Sequence, residues 1–294
     1  MKSLDPFYIY RNIRKCLSEG VSLLTDSFWR TVWLSLPVIV ACSAIYVYVA
    51  IQSGESIATE STTMARVVVW FALLTVAFSL LKTLIYTFLS FKVKGMSKKS
   101  LTFKRLYGKT FINLLPKALL YVVVTMALMG GVAYGIHLFL SLFHPQSEAM
   151  VVVKTVSVVI FILMFIILFI PYQNVLPTLM MLHGNPFALM MRGWASGFRY
   201  WGKMMQMSVL VKLFVFFVSL LLASPGLIFL MVNQSAVASA AEGDAVVLPA
   251  FYSALLVGTV FLTFVLESLL AFVDNAPFAY LHASIKVDEE EMLE

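Results

Sequence analysis

Four ionisable side chains stand where charge is costly. Lys82 lies in LLKTLIY, Lys212 in VLVKLFVFF and Glu267 in FVLESLL, and Asp274 follows Glu267 by seven residues, which puts both acids on one face of a helix. A charge near a bilayer's centre costs at least about 2.5 to 3.5 kcal/mol on insertion scales, so each needs a partner, a wet pocket or a route to the surface. Lys82, Lys212 and Glu267 each fall about two helical turns from the same end of an apolar run. Pairing Lys82 with Glu267, and Lys212 with Asp274 nearer the surface, would neutralise all four. That set offers a polar site for a headgroup, an ion or a proton. The commoner arrangement of such residues has both lysines snorkelling to the phosphates and Glu267 paired or neutral for structure.

Asn174 and Asn275 join the polar candidates because they sit beside prolines. Pro171, Pro177, Pro225 and Pro277 interrupt apolar runs, and an adjacent amide can satisfy the backbone groups a proline frees. Broken helices line binding sites in some transporters. Here the prolines fall near the ends of the runs, so ordinary helix termination is expected.

Catalytic motifs of soluble enzymes are missing. There is no HExxH, CxxC, P-loop or GxGxxG, and GWASG (193–197) has its serine one place too late for a nucleophile elbow. His137 and His144 fall toward one side of the membrane and His183 and His282 toward the other, so no metal and no cofactor is expected. His183 and His282 read as repeat-related interface residues. Cys16 and Cys42 have no metal-ligand spacing and read as plain thiols.

The elements that must position these groups follow from composition. With 61% hydrophobic and 12% charged residues, and a mean hydropathy of +0.92, the chain has too little polar surface for a soluble globule. Six runs reach the roughly 20 residues a spanning helix needs, at about 32–51, 67–89, 117–140, 151–171, 205–231 and 250–273. The expectation is an all-α polytopic membrane protein of six transmembrane helices in one domain over 1–294, with residues 285–294 a solvated acidic tail.

Lysine and arginine set its orientation. Five bases precede the first run, eight lie in 90–117 and three in 183–203, whereas 52–66 and 141–154 contribute only Arg66 and Lys154, and 232–249 has none. Both termini are expected inside, in the cytoplasm of a bacterial inner membrane. The net charge of +6 belongs to one face, where anionic lipid headgroups are the expected partners, other membrane proteins are possible ones, and nucleic acid is not. The sequon at Asn233 would lie in an outer loop.

The inner segments resemble one another. EGVSLLTDSFWRTVWLS (19–35) aligns without a gap on RGWASGFRYWGKMMQMS (192–208), so that Gly20 opposes Gly193, Asp26 opposes Arg199 and Phe28 opposes Trp201. The middle copy, 102–117, sets Lys109 opposite Arg199 and Phe111 opposite Trp201. NVLPTLMMLHGN (174–185) and NAPFAYLHAS (275–284) share an Asn, a Pro and Leu-His. These features predict three helix pairs, at about 8–95, 101–184 and 187–284, each led by an amphipathic inner segment. From Asn185 to Met205, Asn185 is the N-cap, Pro186 opens the helix, and Phe187, Met190, Met191, Trp194, Phe198, Trp201 and Met205 form a stripe opposite Arg192, Ser196, Arg199 and Lys203. Such a helix lies in the interface with aromatics toward acyl chains and bases toward phosphates. Gly193, Gly197 and Gly202 weaken it and allow close packing; one long helix from 198 to 231 is the competing reading. Arg105, Lys109, Arg192, Trp194, Arg199, Trp201 and Lys203 are the inner-face candidates for lipid or partner contact. In the third run Gly131 and Gly135 have GxxxG spacing, which favours close helix approach.

Inner segments of the form F-x-x-x-x-R-G-W…W-G-K before a span resemble the bacterial YciC-like and glycerophosphodiester-phosphodiesterase membrane-domain families. That resemblance implies an anchor or envelope component and supplies no catalytic residues. The expected function is a non-enzymatic envelope scaffold or lipid-interacting complex subunit. A transporter or flippase with a polar site in the inner half of the bundle is the alternative, and a lipid-modifying enzyme comes third. A transporter requires a polar cavity converging on Lys82, Lys212, Glu267 and Asp274; a scaffold requires a dry bundle with basic ledges.

Overall fold

The computed structural model describes residues 7–26, 28–58, 63–94, 101–142, 156, 158–159, 165–244 and 248–291. Among them the chain is all-α. A short amphipathic α1 (Ile13–Thr25) precedes the long helices α2 (Phe28–Ala58) and α3 (Met64–Val93). The single turn α4 (Phe103–Leu106) precedes α5 (Lys109–Leu142). Helical residues 165–172 lead across a turn into α6 (Val175–Met181), followed by α7 (Pro186–Arg199), α8 (Trp201–Ala241) and α9 (Tyr252–Glu291).

Five of these, α2, α3, α5, α8 and α9, are long and apolar enough to cross a bilayer, which makes this a polytopic membrane protein. The expected run 151–171 is described only from 156 onward and in part; its helical portion joins α6 in the shorter apolar stretch Phe165–Met181. Lys98, Lys99, His144 and Lys154 lie outside the described residues.

The long helices overrun the apolar runs that predicted them. α8 continues to Ala241, so Asn233 of the sequon lies in a helix rather than a loop, and α9 continues to Glu291 through the segment expected as a solvated tail. Hydropathy marks where a helix leaves the hydrocarbon; it does not mark where the helix stops. The prolines behave likewise. Pro225 and Pro277 sit inside α8 and α9, as Pro37 and Pro116 do inside α2 and α5, so none of these four ends its helix. A proline removes one ladder bond, and the remaining bonds with the packing around them hold the helix together.

One end of the bundle gathers α1, α4 and α7, the starts of α2, α5 and α8, and the ends of α3 and α9. This basic end is closely tied. The N-cap side chain of Asn12 accepts from Lys15 N, and that of Asn185 accepts from Phe187 N with Pro186 opening α7 as its sequence predicts. Arg30 donates to the Leu101 carbonyl at 2.7 Å, Tyr107 to that of Leu34 at 2.7 Å, and Lys117 to that of Leu182 at 2.8 Å. Lys92 reaches Ser22 Oγ at 3.2 Å and Glu19 at 3.7 Å. The last turns of α9 are held too: Ser284 exchanges hydrogen bonds with the Arg11 backbone at 2.9 and 3.0 Å, Lys203 pairs with Asp288, and Ser196 donates to Glu289 at 2.8 Å. Charge alone made 287–291 look solvated, yet the basic inner helices supply its partners.

Glycine decides which way α1 and α7 face. A methyl group on Gly20 would lie within 2.7 Å of Pro277 atoms, and one on Gly193 would lie 2.9 Å from Val175 Cα, so each short helix touches another helix beside a proline of the Asn-Pro-Leu-His segments. Gly197 lies as close to the Pro171 backbone. A methyl group added at Gly202, Gly131 or Gly135 would meet no other described element within 4 Å, so the close approach expected at Gly131 and Gly135 is not found among the described residues. In α7 the buried positions are Leu189, Met190, Gly193 and Gly197. The aromatic stripe therefore splits: Phe187, Met191 and Phe198 face outward, while Trp194 and Trp201 pack against the core. The chain breaks at Tyr200 and α8 begins at Trp201, which rules out one continuous helix from 198.

Candidate functional site

Lys212 on α8 and Asp274 on α9 meet at 2.5 Å, as their depth and opposite sign predict. Ser219, seven residues along α8, donates to Glu267 Oε2 at 2.6 Å, seven residues back along α9. Because the two helices run antiparallel, these are successive rungs about 10 Å apart on one helix–helix seam. The seam explains why the expected Lys82–Glu267 pair does not form. Both acids share one face of α9, and α8 covers it, so Glu267 is turned toward Ser219. Its Oε1 is buried and has no hydrogen-bond partner among the described residues.

Lys82 is served by the neighbouring face of α9. Asn275 follows Asp274 by one residue, about 100° around the helix, and so points toward α3. Its Nδ2 donates to the Ala271 carbonyl at 2.8 Å, which leaves Oδ1 as acceptor for Lys82 Nζ at 2.9 Å. On its other side the ammonium stands 5.5 Å from the centre of the Tyr121 ring of α5, within the range of a cation–π contact. Among the described residues no carboxylate lies within ion-pairing distance of Lys82.

These groups converge on a cavity of about 250 Å³. Lys82, Lys212, Asp274 and Asn275 supply its charge and amide, Tyr86, Tyr121, Thr125 and Gln173 its remaining polar wall, and Phe78, Met126, Phe169 and Phe278 its apolar wall. Two lysines face one aspartate, so the wall is net positive. A second, mostly apolar cavity of about 440 Å³ runs along the α8–α9 seam past Glu267, Ser219 and Thr263. Phe78 and Asp274 belong to both.

Asn174 does other work. Its Nδ2 donates to the Gly193 carbonyl at 3.1 Å, and its Oδ1 is 3.0 Å from His282 Nδ1. Thr178 Oγ1, which donates to the Asn174 carbonyl at 2.7 Å, lies 3.4 Å from the same ring nitrogen. Two acceptors face Nδ1, so that nitrogen carries the proton. The network ties α6, α7 and α9 together. His282 is buried while His183 is exposed, so the shared Leu-His does not make them equivalent interface residues. His282 Nε2 is buried without a partner among the described residues.

The inner-face candidates divide by position. Arg105, Lys109, Arg192 and Arg199 are exposed, and Lys203 is half-buried between Asp288 and the rings of Tyr10 and Tyr200. The indole N–H groups of Trp194 and Trp201 are buried without acceptors among the described residues. Arg192, Arg199, Lys286, Glu289 and Glu290 border an open hollow at this end. Burial lifts the Cys16 thiol to about 11, which keeps it protonated and unreactive. No group of three or more metal-ligating side chains occurs among the described residues.

Sequence reasoning missed Tyr86, Tyr121, Thr125 and Gln173. Their signal was weak but present, as hydroxyl and amide groups recurring within apolar runs. Comparison of the chain with protein-family models, with curated proteins and with solved structures found no match to any of them.

Proposed function

We propose that this protein is a transporter or flippase that takes an anionic group into the cavity around Lys82. The observation that carries this reading is the unbalanced charge of Lys82. An ammonium has three donors; here one finds Asn275, an aromatic face takes part of the charge, and the rest faces a cavity. A lysine kept for stability alone would be paired or would snorkel out, because an uncompensated buried charge is expensive. An arriving carboxylate or phosphate supplies the missing charge. The neighbouring Lys212–Asp274 pair offers a second cation whose partner can be exchanged.

In this reading the basic end faces the cytoplasm of a bacterial inner membrane, where Arg105, Lys109, Arg192 and Arg199 meet anionic headgroups. A three-fold repeat of the inner segments draws its support from two of them: helix breaks precede Phe28 and Trp201, which align, and Gly20 and Gly193, which also align, each seat a short helix against another, whereas the middle copy has Phe103 at the glycine position and starts α5 at Lys109. The cycle is non-enzymatic.

The test is thermal unfolding of the purified protein in neutral-lipid nanodiscs with rising sodium phosphate, sodium acetate or sodium chloride. Phosphate or acetate should raise the midpoint in a saturable manner beyond chloride, and Lys82→Met should abolish the rise. Equal shifts in the wild type and Lys82→Met would sink the proposal.

A scaffold remains the second reading because the basic end is so closely tied. It requires that cavity substitutions leave function intact while substitutions at the Arg192–Arg199 ledge abolish it.

A further inference from the structure

We infer that the anion taken up at Lys82 is the head of a single-chain amphiphile whose chain lies in the second cavity. This rests on the anion-binding reading above and adds the class of ligand.

The two cavities are adjacent, because Phe78 and Asp274 wall both. One is charged and net positive. The other is lined by Leu81, Val215, Ala223, Leu227, Val260 and Phe264, side chains suited to methylene groups and to little else. A small hydrophilic anion would leave the larger cavity unused. A lipid with two chains would have to fit both into one seam-lined groove, whereas one chain follows it. The polar groups in that groove mostly satisfy one another: Ser219 donates to Glu267, and Thr263 to the Leu222 carbonyl at 3.4 Å. Among the described residues what remains is Glu267 Oε1, buried without a partner, an acceptor suited to a hydroxyl or amide N–H carried near the head of the chain. A second anionic group at that point would be repelled. The ligand class is therefore an alkyl or acyl chain with one carboxylate or phosphate end.

The experiment measures apparent affinity in phosphatidylcholine nanodiscs for inorganic phosphate, octyl phosphate and dodecyl phosphate. It uses the full chain, Lys82→Met, and two cavity-filling variants. Ala223→Phe fills the groove from α8, and Leu227→Trp narrows it from a more exposed position that folding tolerates better. The wild type should bind dodecyl phosphate at least about tenfold more tightly than inorganic phosphate, with octyl phosphate between them. Either filling variant should bring that ratio close to one without weakening inorganic phosphate, and Lys82→Met should weaken all three.

Equal affinity for inorganic and dodecyl phosphate would overturn the amphiphile while leaving the anion site standing. Tight dodecyl phosphate binding that neither filling variant nor Lys82→Met alters would mean ordinary partition into the bilayer, and would overturn it as well. Failure of every probe to bind would remove the anion site and this inference together.

Discussion

The basic end and the middle of the bundle treat charged side chains differently. At the basic end the long basic side chains that enter the fold find partners: Arg30, Lys92, Lys117 and Lys203 each reach a carbonyl, a hydroxyl or a carboxylate, and the buried polar atoms left without one there among the described residues belong mainly to rings, those of Trp194, Tyr200, Trp201, Tyr280 and His282. In the middle, among the described residues, Lys82 has an amide and a ring, Glu267 has one satisfied oxygen of two, and a cavity adjoins each. Paired charges fix a structure; a charge without an opposite partner costs stability and calls for a reason, such as a ligand that completes it. The first region is built to hold the helices and the second to receive something.

Substitutions that push the two regions apart test this contrast. The largest effect belongs to Gly197→Leu, whose side chain would meet the Pro171 backbone with no flexible neighbour to yield. It should destabilise by more than about 3 kcal/mol, seen as loss of the monodisperse peak in detergent gel filtration. Next comes His282→Ala, which leaves Asn174 Oδ1 buried without its donor. A loss of about 1–3 kcal/mol is expected, measured as a lower unfolding midpoint with anion affinity unchanged.

Lys82→Met should do the reverse. Exchanging a half-buried cation that has no carboxylate partner among the described residues for an apolar side chain of similar volume costs only the hydrogen bond at Asn275 Oδ1, so stability should change by no more than about 1 kcal/mol, while anion affinity falls at least about tenfold. If it unfolds the protein instead, Lys82 belongs to the structural network and the contrast fails. The smallest effect is expected from Lys203→Met. Its pair with Asp288 is partly exposed, so the cost should be no more than about 1 kcal/mol and should shrink further in high salt.

Much of this was legible in the sequence, and the misses share a cause. Periodicity and hydropathy located the long helices, and depth with sign predicted Lys212–Asp274. The same logic failed for Lys82 and Glu267 because depth says nothing about azimuth; one residue's rotation along α9 separates Asp274, turned to α8, from Asn275, turned to α3. The stripe on α7 was read from its aromatics, whereas the buried face follows Gly193 and Gly197, where backbones approach most closely. Residues 287–291 looked solvated because their partners, Lys203 and Ser196, lie more than eighty residues away. Local sequence cannot register such distant partners. Pro225 and Pro277 looked like helix ends because a break was weighed without the packing that offsets it.

The decisive property of the site is the positive potential that Lys82 projects into an accessible cavity. It can be tested with a single cysteine at Met126 in the cavity wall, with Cys16 and Cys42 replaced by Ala, by comparing labelling rates of anionic and cationic methanethiosulfonates of similar size. Labelling by the anionic reagent should be at least about tenfold faster, Lys82→Met should remove that preference, and sodium phosphate should slow the anionic reaction. Equal rates for the two reagents, or a preference unchanged by Lys82→Met, would contradict it.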